Sequence, residues 1–200
     1  VDAVRLPLFS SVSAPLSVYS DSDDIEIRSA GIGTNLWLGD RWHLLADATR
    51  REHSARADGP FAPLGGGDSV DETRVGLGAR LSLTPDFALE GWGGRSDLDF
   101  ANGQDNGEAI GRLVAAYRAS DSIAWTAGFA RDRVAYSPRA LSLGIMRNSG
   151  TVDLRYTPTL SDTVAVQLGA DNFSDGNHRH AVSADWRHAI VRNGTANVDI

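Results

Sequence analysis

Charged side chains recur at alternate positions along much of this 200-residue chain, and that spacing limits the chemistry they can share. Arg74, Arg80, Glu90, Arg112, Arg118 and Asp132 each interleave with an apolar or small-residue run. Asp153, Arg155, Gln167, Asp171, Asp185 and Arg187 continue the pattern. Residues two apart on an extended strand share a face, so these twelve would form one polar surface. Such a surface offers many weak contacts to a moving or extended ligand rather than one deep site. Opposed arginines and carboxylates would also pair across strands. Both roles stay open for any single residue.

Catalytic and metal-binding constellations are weaker. His178 and His180 would face the same side of a strand, but two imidazoles without a third ligand read as solvated surface rather than a zinc site. Asp97, Asp99 and Glu108 approach a calcium loop. Ala101 stands at the third ligand position, however, and Gly103 falls one place late. Asp185 and His188 lie on opposite strand faces, which counts against a shared hydrolytic site. Gly65-Gly66-Gly67 lacks the lysine of a phosphate loop and reads as a loop tip. No catalytic residue, metal or cofactor is expected.

The elements that would position the polar surface are strands. Val75, Leu77, Ala79, Leu81 and Leu83 alternate with Arg74, Gly76, Gly78, Arg80 and Ser82. Ala109, Gly111, Leu113, Ala115 and Tyr117 repeat the scheme, as do Ile123 to Phe129, Val152 to Tyr156, Val164 to Leu168 and Val182 to Trp186. A helix needs spacings of three and four, which these runs lack. Tight turns are expected at Gly39-Asp40, Pro85-Asp86, Asp121-Ser122, Ser161-Asp162 and Asn193-Gly194. Longer polar connections are expected near 11–24, 56–71, 101–107, 135–148 and 173–177. Tight turn and long loop alternate, which predicts an antiparallel up-and-down meander of about ten strands with all tight turns at one end. The Gly31-Ile32-Gly33 and Gly91-Trp92-Gly93-Gly94 stretches predict bulges.

Composition narrows the class. Cysteine is absent and all 19 basic residues are arginine; the formal net charge of -7 argues against a nucleic-acid partner and permits a cationic one. No apolar run approaches the roughly 18 residues of a membrane helix. Strands of about ten residues or more match tilted transmembrane β-strands, whereas soluble sheets favour about five or six. Trp37, Trp42, Phe87, Tyr117, Trp125, Tyr156 and Trp186 lie near the tight turns, as an interfacial aromatic girdle requires. The chain therefore reads as all-β, an antiparallel up-and-down transmembrane β-barrel. The alternatives are another outer-membrane porin, a barrel enzyme, or a soluble β-sandwich carbohydrate-binding module.

One region carries a family resemblance. Phe129-Ala130-Arg131, then Ser137-Pro138-Arg139-Ala140, Gly144-Ile145 and Phe173-Ser174-Asp175-Gly176-Asn177-His178-Arg179 follow one another. This series resembles the barrel of the outer-membrane poly-β-1,6-N-acetylglucosamine export porins, the PgaA-like family. The second motif departs from the family pattern by lacking a leucine between Pro138 and Arg139. The loop Phe173, Ser174, Asp175, Gly176, Asn177 and Arg179 is the most specific match, although Asp-Gly is turn chemistry first. The resemblance implies a sixteen-stranded barrel in the bacterial outer membrane, used in biofilm matrix secretion and lacking catalytic residues. Its partners would be the exopolysaccharide, outer-membrane lipid, and periplasmic modifying or synthase components reached through a tetratricopeptide region. Residues 1–200 are then expected to be one β-barrel domain, a mature chain or excerpt incomplete at its C-terminal end.

Overall fold

The computed structural model describes residues 10–103 and 105–189. They form one antiparallel sheet of eleven strands: β1 (Ser11–Ser13), β2 (Leu16–Ser20), β3 (Glu26–Trp37), β4 (Trp42–Ser54), β5 (Ser69–Thr84), β6 (Phe87–Phe100), β7 (Asp105–Arg118), β8 (Ile123–Arg133), β9 (Met146–Tyr156), β10 (Asp162–Phe173) and β11 (His178–His188). One short helix, α1 (Pro138–Ser142), lies between β8 and β9. From β3 to β11 each strand pairs with its sequence neighbour. The short strands β1 and β2 both pair with β3, on Gly33–Asn35 and Glu26–Ala30 respectively. They act as one interrupted strand, so the sheet has ten positions. No pairing joins β11 to β1 or β2 among the described residues.

The alternation of connections follows the expected scheme. Turns at 38–41, 85–86, 119–122 and 157–161 lie at one end; those at 21–25, 55–68, 101–103, 134–145 and 174–177 lie at the other. Three expectations need correction. Residues 11–24, expected as a polar connection, contain β1 and β2. The long connections are shorter than expected, because strand pairing continues where apolar alternation has ended. Asp71 opposes Asp99, and Asp99 opposes Asp105, on rungs that carry no hydrophobic signal. The bulges expected at the glycine stretches are absent: both registers run through unbroken, and the shift falls between Ser82 and Thr84. The expected turn at Asn193-Gly194 lies outside the described residues.

Trp92 explains two nearby glycines, Gly76 and Gly94. Its indole lies over the backbone of β5 and its own strand, so a Cβ added to Gly76 would run into the ring. The indole Nε1 donates to Asp47 Oδ1 at 2.6 Å, reaching across β5 to β4. Similarly, Arg74 Nη2 on β5 donates to Asp132 Oδ1 on β8 at 2.5 Å, past β6 and β7. Adjacent strands lie roughly 4.8 Å apart, so contacts between strands two and three positions apart require the sheet to curl toward this face. Gly76→Val should lower stability by about 3 kcal/mol through overpacking against Trp92. Urea unfolding followed by tryptophan fluorescence checks this, and the cost should shrink in a Trp92→Ala background.

Apolar burial gathers at the long-loop end, while His43 is buried near the tight turns. Val70, Leu98 and Leu141 form the buried cluster, flanked by Phe100 and Ala135. Ser137 caps α1 by accepting a hydrogen bond from the Ala140 N–H, and Pro138 occupies the first turn. Arg139 N–H donates to the Phe61 carbonyl and Leu64 N–H to Ser142 Oγ, each at 3.0 Å. Segments 55–68 and 134–145 thus close together over the concave face at one end.

Candidate functional site

Register sorts the side chains onto two faces with opposite chemistry. All twelve polar candidates fall on the concave face. Arg74 opposes Ser96, Arg80 opposes Glu90, and Arg112 lies between Trp92 and Ala130. Arg118 opposes Ala124, in the rung that runs through Arg155 and Ala165 to Asp185. Asp153 lies between Thr126 and Gln167, Asp132 opposes Arg147, Asp171 opposes Arg179, and Thr163 opposes Arg187.

The candidates divide between paired and open groups. Arg112 meets Glu90 at 3.0 Å and also lies over the Trp92 ring; Arg118 meets Asp86 at 3.4 Å, and Arg187 meets Asp185 at 2.9 Å. Arg179 holds Asp171 at 2.6 Å. Asp153, Arg155 and Gln167 form no ion pair or side-chain hydrogen bond among the described residues, which leaves the β9–β10 stretch open to a ligand.

The long-loop end of the concave face holds a buried polar network that alternation did not single out. Glu72 and Ser96 are fully buried, with His53 and Arg133 nearly so. Ser96 Oγ donates to Glu72 Oε1 at 2.6 Å, while Arg51 Nη1 and His53 Nε2 lie 3.5 and 3.4 Å from Oε2. Arg133 donates from Nε to Ser96 Oγ and from Nη2 to the Ser96 and Asn106 carbonyls. Ser96 is fully buried, and its hydroxyl is held between a carboxylate and a guanidinium. Glu72 shares strand parity with Arg74. Its partners come from β4, β6 and β8, and no sequence spacing reveals them.

The opposite face is apolar and uncovered. Leu77, Leu113, Phe129 and Val182 are between 51% and 75% exposed, although each lies mid-strand in a regular ladder. Toward the tight turns this face ends in aromatics. Phe87, Tyr117 and Trp125 are successive cross-strand neighbours, with ring centroids 6.1 and 5.7 Å apart. Trp42, Tyr156 and Trp186 share the face. Trp37 departs from the expected set. Ile32, Thr34 and Leu36 take the apolar face of β3, which puts Trp37 on the concave side against His43, at 6.5 Å between ring centroids.

Toward the long loops the same face meets basic side chains on β4, β6, β8 and β11. Arg50 and Trp42 bound the stretch on β4, Arg95 and Phe87 on β6, Arg131 and Ile123 on β8, and His178 and Trp186 on β11; each pair lies eight positions apart. Both margins shift by one rung from β4 to β6 and by one more from β6 to β8, then stay level to β11. The band therefore keeps its height on these strands while running obliquely to the ladder from β4 to β8. Strands tilted against a flat apolar slab produce this pattern.

The loop Phe173–Arg179 is a compact hairpin connection. Gly176 takes a φ of 90°, Phe173 N–H donates to the Asn177 carbonyl, and Asp175 accepts from the Asn177 backbone and side-chain amides. Ser137-Pro138-Arg139-Ala140 forms the cap and first residues of α1. No group of three potential metal-ligating side chains gathers among the described residues. No protein family, curated protein or solved structure matches the chain.

Proposed function

We propose that this chain forms part of the wall of an outer-membrane β-barrel, ten strand positions of a larger closed cylinder. The carrying observation is the uncovered apolar band, bounded by aromatics at one margin and basic groups at the other. Eight residues at roughly 3.3 Å each span about 26 Å along a strand, or about 20 Å upright at ~40° of tilt. That approaches the roughly 25 Å apolar band of outer-membrane barrels. A soluble sheet would instead need a second layer to cover those side chains.

Within that class, the function we propose is a passive, non-enzymatic pore for exopolysaccharide export. Poly-β-1,6-N-acetylglucosamine is the favoured polymer on the resemblance of the Phe129–Arg179 motifs. The concave face supplies dispersed hydrogen-bonding groups rather than one tight site, as a sliding polymer requires. The overall charge of -7 suits a partly deacetylated, cationic glucosamine chain. Periplasmic modifying or synthase components would deliver the polymer.

Detergent dependence tests the reading. The chain should give a β circular-dichroism spectrum and heat-modifiable gel mobility only with micelles, and inserted protein should show conductance that glucosamine oligomers block. A monodisperse β protein without detergent would sink the membrane assignment. Conductance indifferent to the oligomers would sink the polymer assignment.

A further inference from the structure

The basic margin of the apolar face is not uniform around the sheet. On β4 to β7, Glu52, Asp71, Asp99 and Asp105 occupy one continuous rung just beyond it. On β8 to β11 the margin rung itself reads Arg131, Asn148, Asn172 and His178, with His180 one rung nearer the tight turns. The outward side chains of that second arc include no carboxylate until Asp162 at the far, tight-turn end. Arg131 Nη1 donates to Asn148 Oδ1 at 3.3 Å, and its Nη2 lies 3.9 Å from Glu108 Oε2, outside hydrogen-bond distance. The guanidinium thus keeps donors for another acceptor. The His178 and His180 rings stand 5.9 Å apart, both exposed.

Below this polar rung the surface is shaped for a chain. Gly150 and Ala170 are adjacent cross-strand partners, and open space lies where a Gly150 side chain would project. Phe129 and His180 flank them on the same rung. The next rung is Val152, Leu168 and Val182, all exposed. A shallow apolar channel therefore descends from a cluster of cationic and amide donors.

We propose that the β8–β11 arc docks a membrane glycolipid through a phosphate on its headgroup. Arg131, the two asparagines and the two histidines meet the phosphate, while an acyl chain lies over Gly150 and Ala170. Charge complementarity selects this arc, because the acidic rung on β4–β7 repels the same headgroup. Guanidinium–phosphate pairs are among the stronger charge-assisted hydrogen bonds. The inference rests on the membrane reading above.

The test inserts the chain into phosphatidylethanolamine vesicles containing lipid A or dephosphorylated lipid A, extracts it gently, and counts retained glycolipid by native mass spectrometry. Wild type should retain the phosphorylated form, and an Arg131→Gln/His178→Gln/His180→Gln variant should retain about tenfold less, a difference worth ~1.4 kcal/mol. Arg95→Gln, on the acidic arc, should leave retention unchanged. Gel mobility of the same samples reads insertion. Inserted protein that retains both glycolipids equally, or a triple variant that binds as wild type does, overturns the docking site and leaves the barrel standing. Protein that never inserts removes both.

Discussion

Glu72→Ala is expected to cost about 3–5 kcal/mol, the range for removing one partner from a buried charge network. The carboxylate accepts from Ser96 and lies among Arg51, Arg74 and His53, while Arg133 reaches it through the same serine. Alanine leaves the Arg51, Arg74 and Arg133 guanidiniums near one another without the carboxylate between them. Glu72→Gln keeps an acceptor for Ser96 and should cost less, about 1–3 kcal/mol. Asp71→Ala is the informative neighbour. Its ion pair with Arg50 is exposed, worth about 0–1 kcal/mol, and its removal relieves repulsion from Glu52 and Asp99. Equilibrium urea unfolding in micelles checks all three. A Glu72→Ala midpoint as close to wild type as that of Asp71→Ala would mean that the network does not hold the capped end together.

Legibility in the sequence followed the hydrophobic alternation. On β5 and from β7 through β11 the apolar residues at every second position mark strand and face, and the polar candidates on those strands fall on one face for that reason. The pattern faded where strands leave the apolar band. Asp71, Asp99 and Asp105 pair in the ladder yet resemble loop residues, and β1 and β2 are too short to establish a period. The Gly91–Gly94 stretch reads as backbone irregularity because sequence shows only missing side chains, and not that the Trp92 indole takes the space beside Gly94 and Gly76. The indole that fills the space comes from β6, against β5. Trp37 was misplaced because proximity to a turn says nothing about parity. The buried network was invisible for a stronger reason: curvature brings β5 within reach of β8, and no local pattern encodes curvature.

Leu113→Arg should separate the membrane reading from every soluble alternative. Leu113 sits mid-band on β7, between Ala109 near one margin and Tyr117 at the other, and its side chain is 63% exposed. In water, arginine at so exposed a strand position would change stability by about 0.5 kcal/mol or less. At the centre of a bilayer the same change costs about 2–4 kcal/mol, falling to about 0–1 near the interfaces. Ala109→Arg, four residues along the same face, should therefore be nearly silent. The two variants add the same charge to the same strand and differ only in depth. Folding into lipid vesicles, titrated with urea, should show a large shift for Leu113→Arg and a small one for Ala109→Arg. Equal, small shifts would mean that the face meets water or a protein partner, and the band would then be a docking surface rather than a lipid contact. A graded cost instead measures where the bilayer centre crosses β7. Through the register, that fixes its height on every paired strand.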